Sequence, residues 1–177
     1  MGNTKINKGV FDTKVELEHA GVATVIEIRE AAKSQAAEIA SLIMTAMTDD
    51  CCLYFCGDGY GLKDFRKMMT LLVEREDSQY SYKNTLVALV GDRVAGISVS
   101  YDGGMLHRLR QVFIEAAKEY IGKDHSGMDD ETQAGELYLD SLAVMPEYHI
   151  QKPEHSLMKR GSFAFVLLWK SNPNKGF

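Results

Sequence analysis

From Ala23 to Glu30 the chain reads ATVIEIRE, with apolar and polar residues in alternation, and this period of two predicts a strand. Over Lys33–Met47 the period changes. Ala37, Ile39, Ala40, Ile43, Met44 and Met47 recur at helical steps and predict a helix with one apolar face. A second helix is predicted over residues 62–76, with Phe65, Met68, Met69, Leu72 and Val73 on one side. The stretch between them, TDDCCLYFCGDGYG, is punctuated by Gly57, Gly59 and Gly61 and reads as loop. The clearest hairpin signal follows: NTLVALV and RVAGISVSYDG are β-rich runs separated by Gly91 and Asp92.

Met105–Gly122 is amphipathic, with Leu109, Val112, Phe113, Ala116 and Ile121 as the expected buried stripe. The polar, partly acidic KDHSGMDDETQAG reads as loop, and ELYLDSLAVM and SFAFVLLW (Ser162–Trp169) as strands. Residues 1–22 carry mixed charge and little periodicity, so they read as an N-terminal extension to one domain over 23–177. The order β-α-α-β-β-α-β-β predicts an α/β (α+β) fold, a mixed, mostly antiparallel twisted sheet flanked by helices.

Composition narrows the function classes. A chain of 177 residues with 45% hydrophobic and 25% charged residues is an ordinary globular one, long enough to bury a core. Its net charge of −5 is wrong for a protein that holds nucleic acid through its phosphates. No run of about 18 apolar residues is present to cross a membrane. MGNTKINKGVFDTK lacks the apolar centre of a signal peptide, so the expected location is cytoplasmic. Cys51, Cys52 and Cys56 lack the Cys-x-x-Cys spacing of zinc sites and read as reduced thiols, buried or lining a pocket. His107, beside Arg108 and Arg110, reads as part of a solvated basic face. His125 and His155 have no partner spacing that suggests a metal.

The strand that ends Asp140-Ser141-Leu142-Ala143-Val144-x-Pro146-Glu147-Tyr148, after strand, two helices and hairpin in that order, resembles the GCN5-related N-acetyltransferases from about Val25 to the C-terminus. Asn172 and Pro173, then Gly176 and Phe177, also match late signposts of that family. The resemblance implies acetyl-CoA as cosubstrate and transfer of an acetyl group to an amine of a small molecule or peptide. It implies that the backbones of Leu142, Ala143 and Val144 pair with the pantetheine arm as an added strand, and it places Asn172 among the cofactor-binding residues. It also marks residues 105–134 as a helical insertion where the family has a short turn. That insertion is expected to form either a lid over the acceptor or a dimer interface built on Phe113 and Ile114.

In the family the strand runs into Arg/Gln-x-x-Gly-x-Gly/Ala, whose backbone N–H groups wrap the pyrophosphate at a helix N-terminus. Here His149, Lys152 and Glu154 occupy the Arg/Gln and two glycine positions, and Pro153 removes one donor. Between Pro173 and Gly176 only Asn174 and Lys175 stand where the family has a helix, and no tyrosine follows Tyr148. Residues 149–177 are therefore atypical. The alternative reading is a catalytically inactive, truncated or frameshifted relative that binds a ligand or protein, or covers its apolar sheet surface by dimerisation.

Amine attack needs removal of a proton, and a partly buried carboxylate near neutral pKa suits that role. Glu136 and Asp140 are the candidates. Strict alternation would place them with Tyr138, Leu142 and Val144 on one face, and Leu137, Leu139, Ser141 and Ala143 on the other. Tyr54, Phe55 and Tyr60 are the candidates to line the acceptor pocket, or else form a packed aromatic loop.

Overall fold

A computed structural model of the chain describes residues 12–19 and 22–148. Among these residues five strands form one sheet in the order β1 (Asp12–His19), β2 (Val22–Glu30), β3 (Thr85–Val90), β4 (Arg93–Asp102) and β5 (Leu137–Val144). Every neighbouring pair is antiparallel among the described residues. The sheet, the helices around it and their order match the expected α+β class. The strand β1 lies inside the stretch that reads as an extension; it pairs with β2 from Asp12↔Arg29 to His19↔Val22. The expected strand SFAFVLLW and the segment from His149 onward lie outside the described residues.

Among the described residues four helices accompany the sheet: α1 (Ala36–Met47), α2 (Asp49–Phe55), α3 (Leu62–Glu74) and α4 (Leu106–Tyr120). In α3 the buried residues are Phe65, Met68, Met69, Leu72 and Val73, the stripe its period predicts. In α1 the buried face is turned slightly from the expected one: Ala36 and Leu42 are inside and Ala37 is exposed. In α4 the buried set is Leu106, Leu109, Arg110, Phe113, Ile114 and Ala117, while Val112 and Ala116 lie at its edge.

The helix α2 corrects the expectation of a loop between the first two helices. Thr48, at φ 72°, breaks the chain between α1 and α2, and its side-chain oxygen accepts the Cys51 N–H at 3.4 Å. Asp49 and Asp50 then sit in the first turn, where a negative charge favours the helix N-terminus. A capping residue followed by two acids was the available signal, and the later glycines obscured it.

One core joins α1, α3 and α4 to a single face of the sheet. It includes Ile39, Ile43, Phe65, Met69, Val87, Ile97, Val99, Phe113 and Ala143. Phe113 and Ile114 are 1% and 9% exposed. They are consumed by packing within the chain, so the expectation that they form a dimer interface does not hold. α4 spans a connection between adjacent antiparallel strands and fastens itself by this apolar stripe.

Candidate active site

The site begins with a fault in the sheet. On β4 and β5, Val99 pairs with Ser141 and the next residue, Ser100, pairs with Leu139. Asp140 is thus the extra residue of a β-bulge, a feature that re-aims side chains and interrupts the alternation. Below the bulge Tyr138 pairs with Tyr101; above it Ser141 and Ala143 pair with Val99 and Ile97. Those partners all belong to the helix-covered face, so Tyr138, Ser141 and Ala143 share it. Leu137 and Leu139 fall with Leu142 and Val144 on the other. The strict alternation expected for this strand is wrong on that point, because one inserted residue shifts the phase.

Asp140 points its carboxylate into the protein. Gln79 Nε2 donates to Oδ2 at 3.3 Å and Ser141 Oγ donates to Oδ1 at 2.9 Å. Burial raises its pKa to about 6, with the nearby Glu131 charge pushing the same way and the two hydrogen bonds and Arg110 opposing. Around it stand three tyrosines whose hydroxyls are all raised by burial and then by the Asp140 and Glu131 charges. Tyr80 is raised well above the ordinary value, Tyr101 is also raised, and Tyr138 is pushed up to about 12. The Tyr101 and Tyr138 rings meet edge-to-face at 5.5 Å.

Gln79 reaches this place because the connector between α3 and β3 is a buried polar strap. Ser78, Gln79 and Ser81 are all interior. Their backbone groups are held by side chains: Asn84 Nδ2 donates to the Ser78 and Gln79 carbonyls at 3.1 and 3.3 Å, and Thr85 Oγ1 to that of Ser81 at 2.9 Å. From the opposite side Arg110 of α4 enters, 4% exposed. Its Nη1 donates to the Asp129 carbonyl at 2.9 Å and its Nη2 lies 3.2 Å from Glu131 Oε2. The expectation of a solvated basic face holds for His107, which is exposed and 3.2 Å from Asp130, but fails for Arg110. Four residues after Leu106 and three before Phe113, Arg110 falls on the buried stripe.

The other candidate carboxylate behaves differently. Glu136 is exposed and accepts from Thr132 Oγ1 at 2.9 Å, the Gln133 N–H at 3.1 Å and Gln133 Nε2 at 3.2 Å. These bonds lower its pKa, led by Thr132. A carboxylate so stabilised in its charged form is a poor proton acceptor near neutrality.

Tyr54, Phe55 and Tyr60 cluster around the segment after α4 rather than around Asp140. Tyr54 is 72% exposed, with Lys123 Nζ 4.4 Å from its ring centre. Phe55 packs on Phe65, Phe113 and His125, and His125 Nε2 lies 2.8 Å from the Phe55 carbonyl. The Gly57 N–H donates to the Ile121 carbonyl at 2.7 Å. A side chain on Gly57 would meet the Gly122 carbonyl, and one on Gly122, at φ 65°, would meet the Tyr60 ring. Leu142 and Val144 are half-buried and Ala143 is buried; their backbones end β5 just before the turn Pro146–Tyr148. Asn172 lies outside the described residues.

Cys51, Cys52 and Cys56 are free thiols, and burial pushes Cys52 up to about 11, far from a nucleophile's range. Among the described residues no group of three or more His, Cys, Asp and Glu could hold a metal, and no helix is long and apolar enough to cross a membrane. Gln79, Tyr101 and Arg110 are the site residues that sequence reasoning missed. Nothing in the periodicity of DSQYSYKN signals burial, and Tyr101 reads as one more residue of a strand.

No protein-family model matches the chain, and no curated protein matches it. Two solved structures do. One, described as an acetyltransferase, is 20% identical, with a TM-score of 0.60 over 81% of this chain and 70% of that one. The other, an N-acetyltransferase from Staphylococcus aureus Mu50, is 19% identical, with a TM-score of 0.60 over 83% and 76%. The chain has the fold of the acetyltransferases, the GCN5-related type that its β5 motif resembles.

Proposed function

We propose that this protein is an acetyl-CoA-dependent N-acetyltransferase in which Asp140 is the general base. The observation that carries the reading is the bulge in β5, which turns one carboxylate inward and holds it at a pKa of about 6 in a fold shared with acetyltransferases. Acetyl-CoA supplies an activated thioester carbonyl and a thiolate leaving group. The chain's part is to receive a proton. As the amine nitrogen bonds to the carbonyl carbon and the C–S bond breaks, the amine proton passes to Asp140 and the sulfur takes a proton from solvent. A base of this pKa is ionised at neutral pH and yet basic enough to share the proton in the transition state.

The strand fits the cosubstrate. The Leu142–Val144 backbone would hold the pantetheine arm by strand-like pairing, and the inward packing of the Ala143 side chain leaves that role to the backbone. The acceptor amine is an amine of a small molecule or peptide.

The test is thiol release from acetyl-CoA in the presence of a panel of primary amines, with acetyl-CoA binding followed by titration calorimetry. Turnover with an acid limb near pH 6 supports the reading. Absence of both acetyl-CoA binding and thiol release overturns it and leaves a non-catalytic domain of the same fold.

A further inference from the structure

Asp140 is held at both of its carboxylate oxygens, from two directions. Ser141 Oγ, on the same strand, donates to Oδ1 at 2.9 Å. Gln79 Nε2, on the connector between α3 and β3, donates to Oδ2 at 3.3 Å from 61 residues earlier in the chain. The terminal torsion of an aspartate is broad, so one anchor leaves the carboxylate free to turn. A second anchor on the other oxygen fixes its plane.

That second anchor carries a cost. Gln79 is 3% exposed and its Oε1 is buried without a partner, a penalty that an apolar side chain of the same length would avoid. The connector is nevertheless tied down around it. The Tyr80 N–H donates to Ser78 Oγ at 3.1 Å, the Lys83 N–H to Ser81 Oγ at 3.0 Å, and Asn84 Nδ2 to the Gln79 carbonyl at 3.3 Å. What the buried amide accomplishes is its bond to Asp140. Turned over, it would set Oε1 against a carboxylate oxygen, so the ionised form of Asp140 decides which way it faces.

A neutral donor suits a base. Lysine or arginine in the place of Gln79 would draw the carboxyl down into the ordinary acid range, and an apolar residue would leave burial less opposed. An amide supplies the hydrogen bond without the charge. The other groups that face Asp140 are Glu131, which raises its pKa, and Arg110 of α4, which lowers it. With them stand the hydroxyls of Tyr80 on the connector, Tyr101 on β4 and Tyr138 on β5.

We propose that Gln79 and Ser141 are positioning residues, which together aim the Asp140 carboxylate and keep it a proton acceptor at neutral pH. Their part in turnover rests on the acetyltransferase reading; their hold on Asp140 does not.

The experiment follows the carbon-13 carboxyl resonance of Asp140 against pH in the full chain, assigned by its loss in Asp140→Asn. Wild type, Gln79→Met and Ser141→Ala are compared. Each substitution should raise the titration midpoint by roughly half a unit to one unit, the worth of a hydrogen bond to a charged group. Thiol release from acetyl-CoA with the amine panel is measured alongside, and the acid limb of kcat should move up with the midpoint. At about pH 8, where the base is ionised in all three proteins, kcat should still fall roughly tenfold through lost aim, with KM for acetyl-CoA unchanged. Melting temperatures accompany each variant. Gln79→Asn, one methylene short of Asp140, repeats the test without placing an apolar side chain in the polar connector. A wild-type midpoint on substitution of either residue overturns the proposal. So does a moved midpoint with a wild-type acid limb and wild-type kcat above it. Absence of thiol release from the wild type, with the midpoint still moving in the variants, would sink the acetyltransferase reading and leave the hold on Asp140 standing.

Discussion

Glu136 stands just before β5 and Asp140 four residues later within it, and the molecule treats them in opposite ways. Around Glu136 the Thr132–Glu136 turn supplies three donors and open solvent, so the charged form is stabilised. Around Asp140 the bulge supplies two donors and an interior, so burial outweighs the hydrogen bonds and the charged form is disfavoured. Residue type and spacing are alike; the difference comes from where the backbone aims the side chain. A structural cap and a catalytic candidate are thus separated by a single inserted residue in the β-ladder.

The sharpest way to break this comparison is to neutralise each carboxylate in turn. Asp140→Asn should lower kcat by roughly 100-fold or more, the usual worth of a general base, while acetyl-CoA affinity stays at the wild-type value. Glu136→Gln should leave kcat within about twofold, since the hydrogen bonds of Glu136 go to Thr132 and Gln133 and not to Asp140. Equal losses in the two variants would erase the distinction.

Stability should move the other way. Because the folded pKa of Asp140, about 6, lies above the ordinary aspartate value, the folded state binds its proton more tightly than the unfolded state does. That contribution, about 3 kcal/mol when fully present below the unfolded pKa, is lost as pH rises through about 6. Asp140→Asn should therefore raise the melting temperature at pH 7.5, by roughly 5–10 °C for a domain of this size. The gain should vanish near pH 4. A variant that is less stable than wild type at pH 7.5 would contradict the burial argument.

A smaller loss is expected at the buried Arg110. Arg110→Met keeps the apolar stem but drops the hydrogen bonds to Asp129 and Glu131, and should cost about 1–3 kcal/mol in denaturant unfolding. The smallest effect belongs to Glu136. Its depressed pKa gives stability present above the ordinary glutamate range and lost as pH falls, so Glu136→Gln should lower the melting temperature slightly at pH 7.5 and not at pH 3.

Much of the fold was legible because it follows from period. The α3 stripe, the β3–β4 hairpin and the β5 strand each repeat a hydrophobic pattern over enough residues to declare themselves. The site was half legible. Asp140 could be named as a candidate, but the choice between it and Glu136 could not be made, since a bulge leaves no trace in alternation: Tyr138 and Ser141 share a face despite odd spacing. α2 escaped because its cue is a cap at Thr48 rather than a period. The burial of Gln79 depends on Asn84 and Thr85 satisfying its connector, through side-chain-to-backbone hydrogen bonds four to six residues apart that no hydrophobic period records.

The stapling of the α2 end to the segment after α4 has a consequence for inheritance. Gly57 bonds Ile121, Gly122 accommodates Tyr60, His125 meets the Phe55 carbonyl and Lys123 reaches that of Tyr54. Two segments more than sixty residues apart in sequence therefore form one transplantable unit. A chimera that exchanges residues 54–61 alone with those of a distant relative should misfold or melt early, and so should one that exchanges 121–125 alone. Exchanging both together should restore the parent's stability, so recombination can move this corner of the molecule only as a pair.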